Sequence, residues 1–135
     1  MIVVDTSALV AIIGKEPRGS DCSAALSESS SVTISAGTLV EYLIVTAKPE
    51  IADVARNFIE RLAPRIHGVD GTFAERLGLN YQRWGRGFHP AKLNMGDCYA
   101  YTLAQQLQLP LLFIGKDFSQ TDVLSVLANP SPEQS

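Results

Sequence analysis

Four acidic residues occupy positions where a charge is not needed for solubility. Asp5 ends an apolar run, Glu41 is the only charged residue between positions 34 and 47, Asp97 lies near the start of an apolar helical pattern, and Asp117 follows another apolar run. Carboxylates that converge raise one another's pKa and repel, so they need a cation, and their hard oxygen atoms favour Mg²⁺ or Mn²⁺. Such an ion supports phosphodiester cleavage. The sequence therefore indicates a metal-dependent hydrolase, provided that these acids meet.

Each of these acids also has a structural alternative. Asp5 can cap the helix that follows it, and Asp117 can start a turn. Thr38 with Glu41, and Asn94 with Asp97, have the spacing of an N-terminal capping box. The joint pattern favours a shared site, because all four acids fall at predicted strand ends or helix starts.

The elements that would position these acids alternate along the chain. Hydrophobic periodicity and helix-stop signals predict strands at Ile2–Val4, Val32–Ser35, Arg65–Val69 and Leu111–Ile114, with a weak last strand near Val126. Helices are predicted at Ser7–Ile13, Pro17–Ser27, Thr38–Ala47, Ile51–Leu62, Thr72–Trp84 and Met95–Leu107. Thr38–Ala47 is expected to be buried, and Thr72 with Glu75 has capping-box spacing.

This alternation predicts an α/β fold with three layers, α/β/α, around a central and mostly parallel sheet. In such a sheet the carboxyl ends of the strands and the neighbouring helix N-termini meet in one crevice, where ligands bind. The predicted strand ends carry Asp5 and Asp117, and the predicted helix starts carry Glu41 and Asp97. The fold class therefore brings the acids together.

Size and composition agree with one compact intracellular domain. The chain has 135 residues, 46% of them hydrophobic, and we expect a single domain over residues 1–129 with a flexible tail at 130–135. The apolar start is interrupted by Asp5 and does not resemble a signal peptide, and no apolar run is long enough to cross a membrane. Cys22 and Cys98 are expected to be reduced core thiols, as in cytoplasmic proteins.

Positive charge is concentrated in one stretch of the chain. The net charge is −3 and the pI about 5.3, which argues against nucleic-acid binding through a global positive field. A local excess remains, because Glu75 is the only acid in the stretch that holds four basic side chains and His89. An RNA backbone would therefore be held locally, by Arg76, Arg83, Arg86 and Lys92.

Four segments together carry a family resemblance. IVVDTSALVAII, TLVE, LNMGDCYAYTLA and LLFIGKDFSQTDV, in this order and spacing, resemble the PIN-domain ribonucleases and, among them, the VapC toxins of bacterial toxin–antitoxin pairs. The resemblance implies that Asp5, Glu41 and Asp97 bind Mg²⁺ or Mn²⁺ and activate water for RNA cleavage. It also implies a homodimer and a small antitoxin that places a basic side chain among the carboxylates.

The fourth acid of the site is less clearly placed. Many PIN domains carry Asp two residues before the Asp-Phe pair, where this chain has Gly115. We predict Asp117 as the fourth acid, with Asp122 as the alternative. Ser7 either adds a hydroxyl to the metal shell or only caps the first helix.

Three other kinds of protein start from similar patterns. A phosphatase of the haloacid dehalogenase type needs a second Asp two residues after the first, where Ser7 stands. A phosphoacceptor receiver domain needs a paired acid beside the first, where Thr6 stands. A PIN-like module that binds RNA or a partner without cutting is the third alternative, and the retained acids argue against it.

Overall fold

The computed structural model describes residues 1–130. It contains a four-stranded sheet and six helices, in the alternating order that the sequence predicts. Residues 131–135, most of the predicted flexible tail, lie outside the described part. The strands are β1 (Ile2–Val4), β2 (Val32–Ser35), β3 (Arg65–His67) and β4 (Leu111–Leu112), and the helices are α1 (Thr6–Ile13), α2 (Gly19–Glu28), α3 (Ala36–Val45), α4 (Ala52–Leu62), α5 (Gly71–Trp84) and α6 (Met95–Leu107).

The sheet has the order β3-β2-β1-β4, and all neighbouring strands are parallel. Six of the seven residues in its two central strands, β1 and β2, are β-branched, and every residue of both strands is buried. This is the pattern expected of parallel strands that are covered on both faces. The carboxyl ends of β1 and β4 lie side by side, because Val4 is paired with Leu112.

Successive residues of β1 enter two different cores. Val3 packs with Leu111 and Phe113 on the face covered by α5 and α6, whereas Ile2 and Val4 pack on the face covered by the other helices. The alternation follows from the two-residue period of a strand. The three-layer α/β/α prediction is therefore confirmed.

The predicted boundaries of α3 and its burial were wrong. The helix begins at Ala36, not Thr38, because the Ser35 side chain accepts the Gly37 N–H and caps it. Val40 and Ile44 on its outer face are 56% and 67% exposed. Helical periodicity located the apolar side chains but did not show that one group of them faces outward.

Both outer strands are shorter than predicted, for reasons that lie in their neighbours. β3 stops at His67 because its partner in β2, Ser35, is the N-cap of α3. β4 stops at Leu112 because the neighbouring β1 gives way to α1 at Asp5. The strand predicted near Val126 is only a bridge between Leu111 and Ser125.

The last described residues return to the sheet end. The N–H of Gly115, which follows β4, donates to the carbonyl of Pro130 at 2.9 Å.

Cys22 and Cys98 are buried and unpaired, as predicted. Within residues 1–130, none of the helices is long and apolar enough to cross a membrane.

Candidate active site

Asp5 lies where β1 passes into α1, and it caps that helix. Its Oδ2 accepts the Ser7 N–H at 3.1 Å and the Ser7 hydroxyl at 2.7 Å. The capping alternative is therefore correct, but it does not account for the burial of the charge, since Asp5 is only 5% exposed. Burial raises the pKa of Asp5 to about 6, the bonds from Ser7 oppose the rise, and the charge of Glu41 adds to it.

Ser7 joins the ends of two strands. Besides donating to Asp5, its Oγ accepts the Ile114 N–H at 3.0 Å, just beyond β4. The side chain thus fixes both the Asp5 carboxylate and the start of the loop that carries Asp117. Its contacts support a role in positioning the acids.

Glu41 lies in the second turn of α3 and does not cap it, because Ser35 has that role. The capping alternative for Glu41 was therefore wrong. Its Oε1 accepts the Thr6 hydroxyl at 2.7 Å, and Thr6 is buried. The Thr6 hydroxyl therefore holds the Glu41 carboxylate near the carboxyl end of β1.

Asp97 lies in the first turn of α6 and forms a capping box with Asn94. The Asn94 N–H donates to Asp97 Oδ2 at 3.0 Å, and the Asp97 N–H donates to Asn94 Oδ1 at 2.8 Å. Burial raises the pKa of Asp97 to about 7. The bond from Asn94 opposes this, and the charges of Asp5, Asp117 and Glu41 raise the pKa further.

Asp117 and Asp122 lie in different surroundings. Asp117 is exposed after β4 and acts electrostatically on Asp97. Asp122 instead accepts the Tyr101 hydroxyl and lies 3.8 Å from Arg83 Nη2. The Tyr101 hydroxyl also accepts the Trp84 indole N–H at 3.0 Å, so Asp122 ends a chain of hydrogen bonds between α5 and α6.

The charges of Asp5, Glu41 and Asp117 all act on Asp97, so the four predicted acids are near enough to interact electrostatically. Among residues 1–130, no ion pair neutralises Asp5, Glu41 or Asp97. In that same part of the chain, no three acidic, histidine or cysteine side chains are grouped closely enough to enclose a metal ion. Mg²⁺ keeps several waters and needs only one or two carboxylates from the protein. Asp5 and Asp97 could therefore act as the protein ligands of a divalent cation that keeps water as its other ligands.

The predicted RNA-binding residues are all on the surface, and one of them has other partners. Arg76, Arg86 and Lys92 are exposed. Arg83 lies with its guanidinium carbon 4.5 Å from the centre of the Trp84 ring and also faces Asp122. The cation–π contact adds to the stability of this region, whereas an exposed ion pair adds little.

The sequence interpretation missed the contacts of Thr6 and Gly96 with Glu41. Thr6 directly follows a predicted catalytic Asp at the end of a buried strand, and a buried hydroxyl needs a hydrogen-bond partner. The position of Thr6 was therefore the sequence feature that could have predicted its contact. Gly96 faces the Glu41 carboxylate, and no local pattern predicts a contact between α3 and α6. His89, which lies in the same stretch as the four basic residues, packs against Trp84, and its Nδ1 accepts the Ala91 N–H.

Comparison with protein families and curated proteins gives consistent matches. The family model described as "PIN domain" matches residues 2–124. Ribonuclease VapC36 of Mycobacterium tuberculosis is 41% identical over 127 residues, which cover 90% of this chain and 91% of that protein. Ribonuclease VapC of Mycolicibacterium smegmatis is 37% identical over 128 residues, covering 93% of this chain and 99% of that protein.

Solved structures share the fold at lower identity. Mycobacterium tuberculosis VapC20, described as a sarcin-ricin loop cleaving toxin, aligns with a TM-score of 0.75 and 16% identity over 93% of this chain and 98% of its own. A toxin–antitoxin complex from Klebsiella pneumoniae aligns with a TM-score of 0.69 and 21% identity over 90% of this chain and 93% of its own. These likenesses show a common fold.

Proposed function

The chain belongs to the PIN-domain family, among its VapC ribonucleases, and from that premise we propose that it is the toxin of a type II toxin–antitoxin pair and cuts RNA with Mg²⁺ or Mn²⁺. One observation carries the chemistry. The charges of Asp5, Glu41 and Asp117 all act on the buried carboxyl of Asp97. A divalent cation relieves this repulsion.

Asp5, Glu41, Asp97 and Asp117 would hold the ion. When bound, such a cation polarises a phosphate oxygen and lowers the pKa of water, so that phosphorus can be attacked at neutral pH. The protein's own contribution is to fix the carboxylates in advance. Ser7 orients Asp5, Thr6 orients Glu41, and the backbone N–H of Asn94 orients Asp97. No histidine is required as a base in this scheme.

The RNA backbone would run along the exposed basic residues that lead into the site. Arg76, Arg86 and Lys92 are exposed on α5 or on the loop between α5 and α6, and Asp97 follows directly in the first turn of α6. An acidic protein needs such local phosphate contacts. We retain Arg83 in this set, although its contacts with Trp84 and Asp122 compete with binding of phosphate.

The proposed partners are a small antitoxin and a second copy of the chain. An acidic crevice is complementary to the Arg or Lys side chain of a partner as well as to a cation, and a solved structure with the same fold is a toxin–antitoxin complex. Apolar side chains remain exposed at positions 40, 44 and 95, and homodimer formation is one way to cover them. The proposed site of action is the cytoplasm, where RNA is present.

A metal-reconstitution assay tests this function. Protein treated with EDTA should leave RNA intact, and added Mn²⁺ or Mg²⁺ should restore cleavage, because the charge that activates water comes from the ion. Ca²⁺ added to the same sample is a control for charge neutralisation without efficient catalysis. Undiminished cleavage after complete chelation would contradict the proposal.

A binding module that does not cut RNA is the second candidate. The observation that favours it is the lack, within residues 1–130, of a preformed group of three metal-ligating side chains. Such a module would bind RNA in the assay above without cleaving it at any metal concentration. The phosphatase and receiver alternatives belong to other families and are excluded by the family to which this chain belongs.

Asp117 and Asp122 are distinguished by substitution. We expect Asp117→Ala to lower RNA cleavage by about tenfold or more, on the scale seen when metal-site residues are lost. Asp122→Ala should cost little activity but should lower the melting temperature, because it removes the partner of the Tyr101 hydroxyl. The measurements are initial cleavage rates and thermal melts of both variants; the opposite order of activities would assign the fourth acid to Asp122.

A further inference from the structure

Helices α3 and α6 pack against each other through a reciprocal pair of glycines. Gly37 of α3 lies under the Tyr99 ring of α6, and a Cβ at Gly37 would fall 2.5 Å from Tyr99 Cε1. Gly96 of α6 lies under the Glu41 side chain of α3, and a Cβ at Gly96 would fall 2.7 Å from Glu41 Cδ and closer still to its Oε2. Each helix therefore supplies one glycine and one large side chain to the contact.

Gly96 lies inside α6, and its backbone conformation does not require a glycine. Gly96 is the second residue of α6 and has no positive φ, so its conformation is open to any residue. Alanine favours a helix over glycine. The absence of a side chain at position 96 is therefore explained by its neighbour, the Glu41 carboxylate.

Glu41 is held on both sides. Thr6 donates to its Oε1 at 2.7 Å, and Oε2 faces Gly96. A methyl group at position 96 would push the carboxylate off α6 and away from Thr6. The displaced side chain has somewhere to go, because Glu41 also lines an outer cleft of 270 Å³ between the two helices, together with Val40 and Met95.

We propose that Gly96 is a positioning residue for the Glu41 carboxylate: its missing side chain lets α6 receive Glu41 beside Asp97. The effect on the metal site rests on the proposed metal-dependent activity. The steric conflict between a side chain at position 96 and Glu41 does not depend on that activity. Gly37 differs, because a side chain there would meet the ring of Tyr99, which is less free to move than the end of a glutamate. Substitution at Gly37 should therefore disturb packing, and substitution at Gly96 should disturb the site.

The test is a double-substitution cycle of Gly96→Ala and Glu41→Ala, with Gly78→Ala as the matched control. Gly78 lies within α5, and a Cβ there would meet nothing within 4 Å. Mn²⁺ binding to the protein is measured by electron paramagnetic resonance, RNA cleavage by kcat and KM, and melting temperature in EDTA. We expect Gly96→Ala to weaken Mn²⁺ binding about tenfold or more and to lower kcat more than it raises KM.

The Glu41→Ala background separates positioning from a structural role. There, adding Gly96→Ala should cause no further loss of Mn²⁺ binding, because the side chain that it displaces is already gone. Gly78→Ala should bind Mn²⁺ and cut RNA like the parent. Parent-like Mn²⁺ binding and cleavage by Gly96→Ala would overturn the inference.

The melts in EDTA keep this result distinct from a failure of the proposed function. If the parent protein neither binds Mn²⁺ nor cuts RNA, the proposed function fails, and the steric inference is judged on melting alone. We expect Gly96→Ala to raise the melting temperature more in the Glu41→Ala background than in the parent, because only in the parent must Glu41 leave Thr6. Equal changes in both backgrounds would overturn the inference.

Discussion

Replacing Asp5 or Asp97 by Asn is expected to abolish RNA cleavage while leaving the fold intact. Loss of a residue that only supports a metal ligand lowers affinity or activity by about 10- to 100-fold, so loss of a ligand charge should lower kcat/KM by more than about a hundredfold. Asn has nearly the volume of Asp, and its carbonyl oxygen can still accept the N–H of Ser7 or of Asn94. The capping of α1 and α6 is therefore preserved.

The measurement is single-turnover cleavage of an RNA in Mn²⁺, accompanied by circular dichroism of each variant. Asp53→Asn is the matched control, because Asp53 is an exposed Asp in the first turn of α4. The control should cleave like the parent. If Asp5→Asn or Asp97→Asn were folded and retained parental cleavage, the carboxylates would not form the active site.

Where local signals act alone, the sequence is sufficient to predict the structure. Helix α6 runs from Met95 to Leu107 as predicted, because Asn94 and Asp97 form a capping box and no distant contact changes it. Local reasoning also allowed Asp5 to cap the first helix, and Asp5 caps α1. The α3 boundary was wrong because two residues, Ser35 and Thr38, can each cap a helix, and the choice depends on where β2 ends.

Contacts between distant segments explain the remaining differences. Glu41 contacts Thr6 and lies against Gly96, which are 35 and 55 positions away in the chain. Asp122 is drawn to Tyr101 and Arg83 by the packing of α5 against α6. Neither contact has a periodic or local signature. The sequence alone therefore leaves both Asp117 and Asp122 as candidates for the fourth acid, and the fold places the two acids among different neighbours.

The metal-free protein should lose stability as the pH rises, and this loss should come mainly from two carboxyls. Burial raises the pKa of Asp5 from 3.8 to about 6 and that of Asp97 from 3.8 to about 7. In the unfolded chain both carboxyls return to the lower value, so the folded state binds protons more tightly. Their stabilising contribution is complete below pH 4 and is lost as the pH rises through 6 and 7.

We expect the melting temperature in EDTA to fall by roughly 10 °C or more between pH 5 and pH 8. With pKa values of about 6 for Asp5 and about 7 for Asp97, the two carboxyls together lose roughly 4 kcal/mol of stabilisation over this pH range, and 1 kcal/mol moves the melting temperature of a domain of this size by about 3–5 °C. Asp97→Asn removes one of the two charges, so it should melt higher than the parent at pH 8 and show a shallower pH profile. Mn²⁺ should raise the parent's melting temperature at pH 8 far more than at pH 5, because it binds the ionised carboxylates of the folded state.

Thermal melts at pH 5 to 8, with EDTA or Mn²⁺ and with Asp53→Asn as the control, measure all three effects. A pH profile of Asp97→Asn as steep as that of the parent would show that the charge of Asp97 is not what destabilises the metal-free protein.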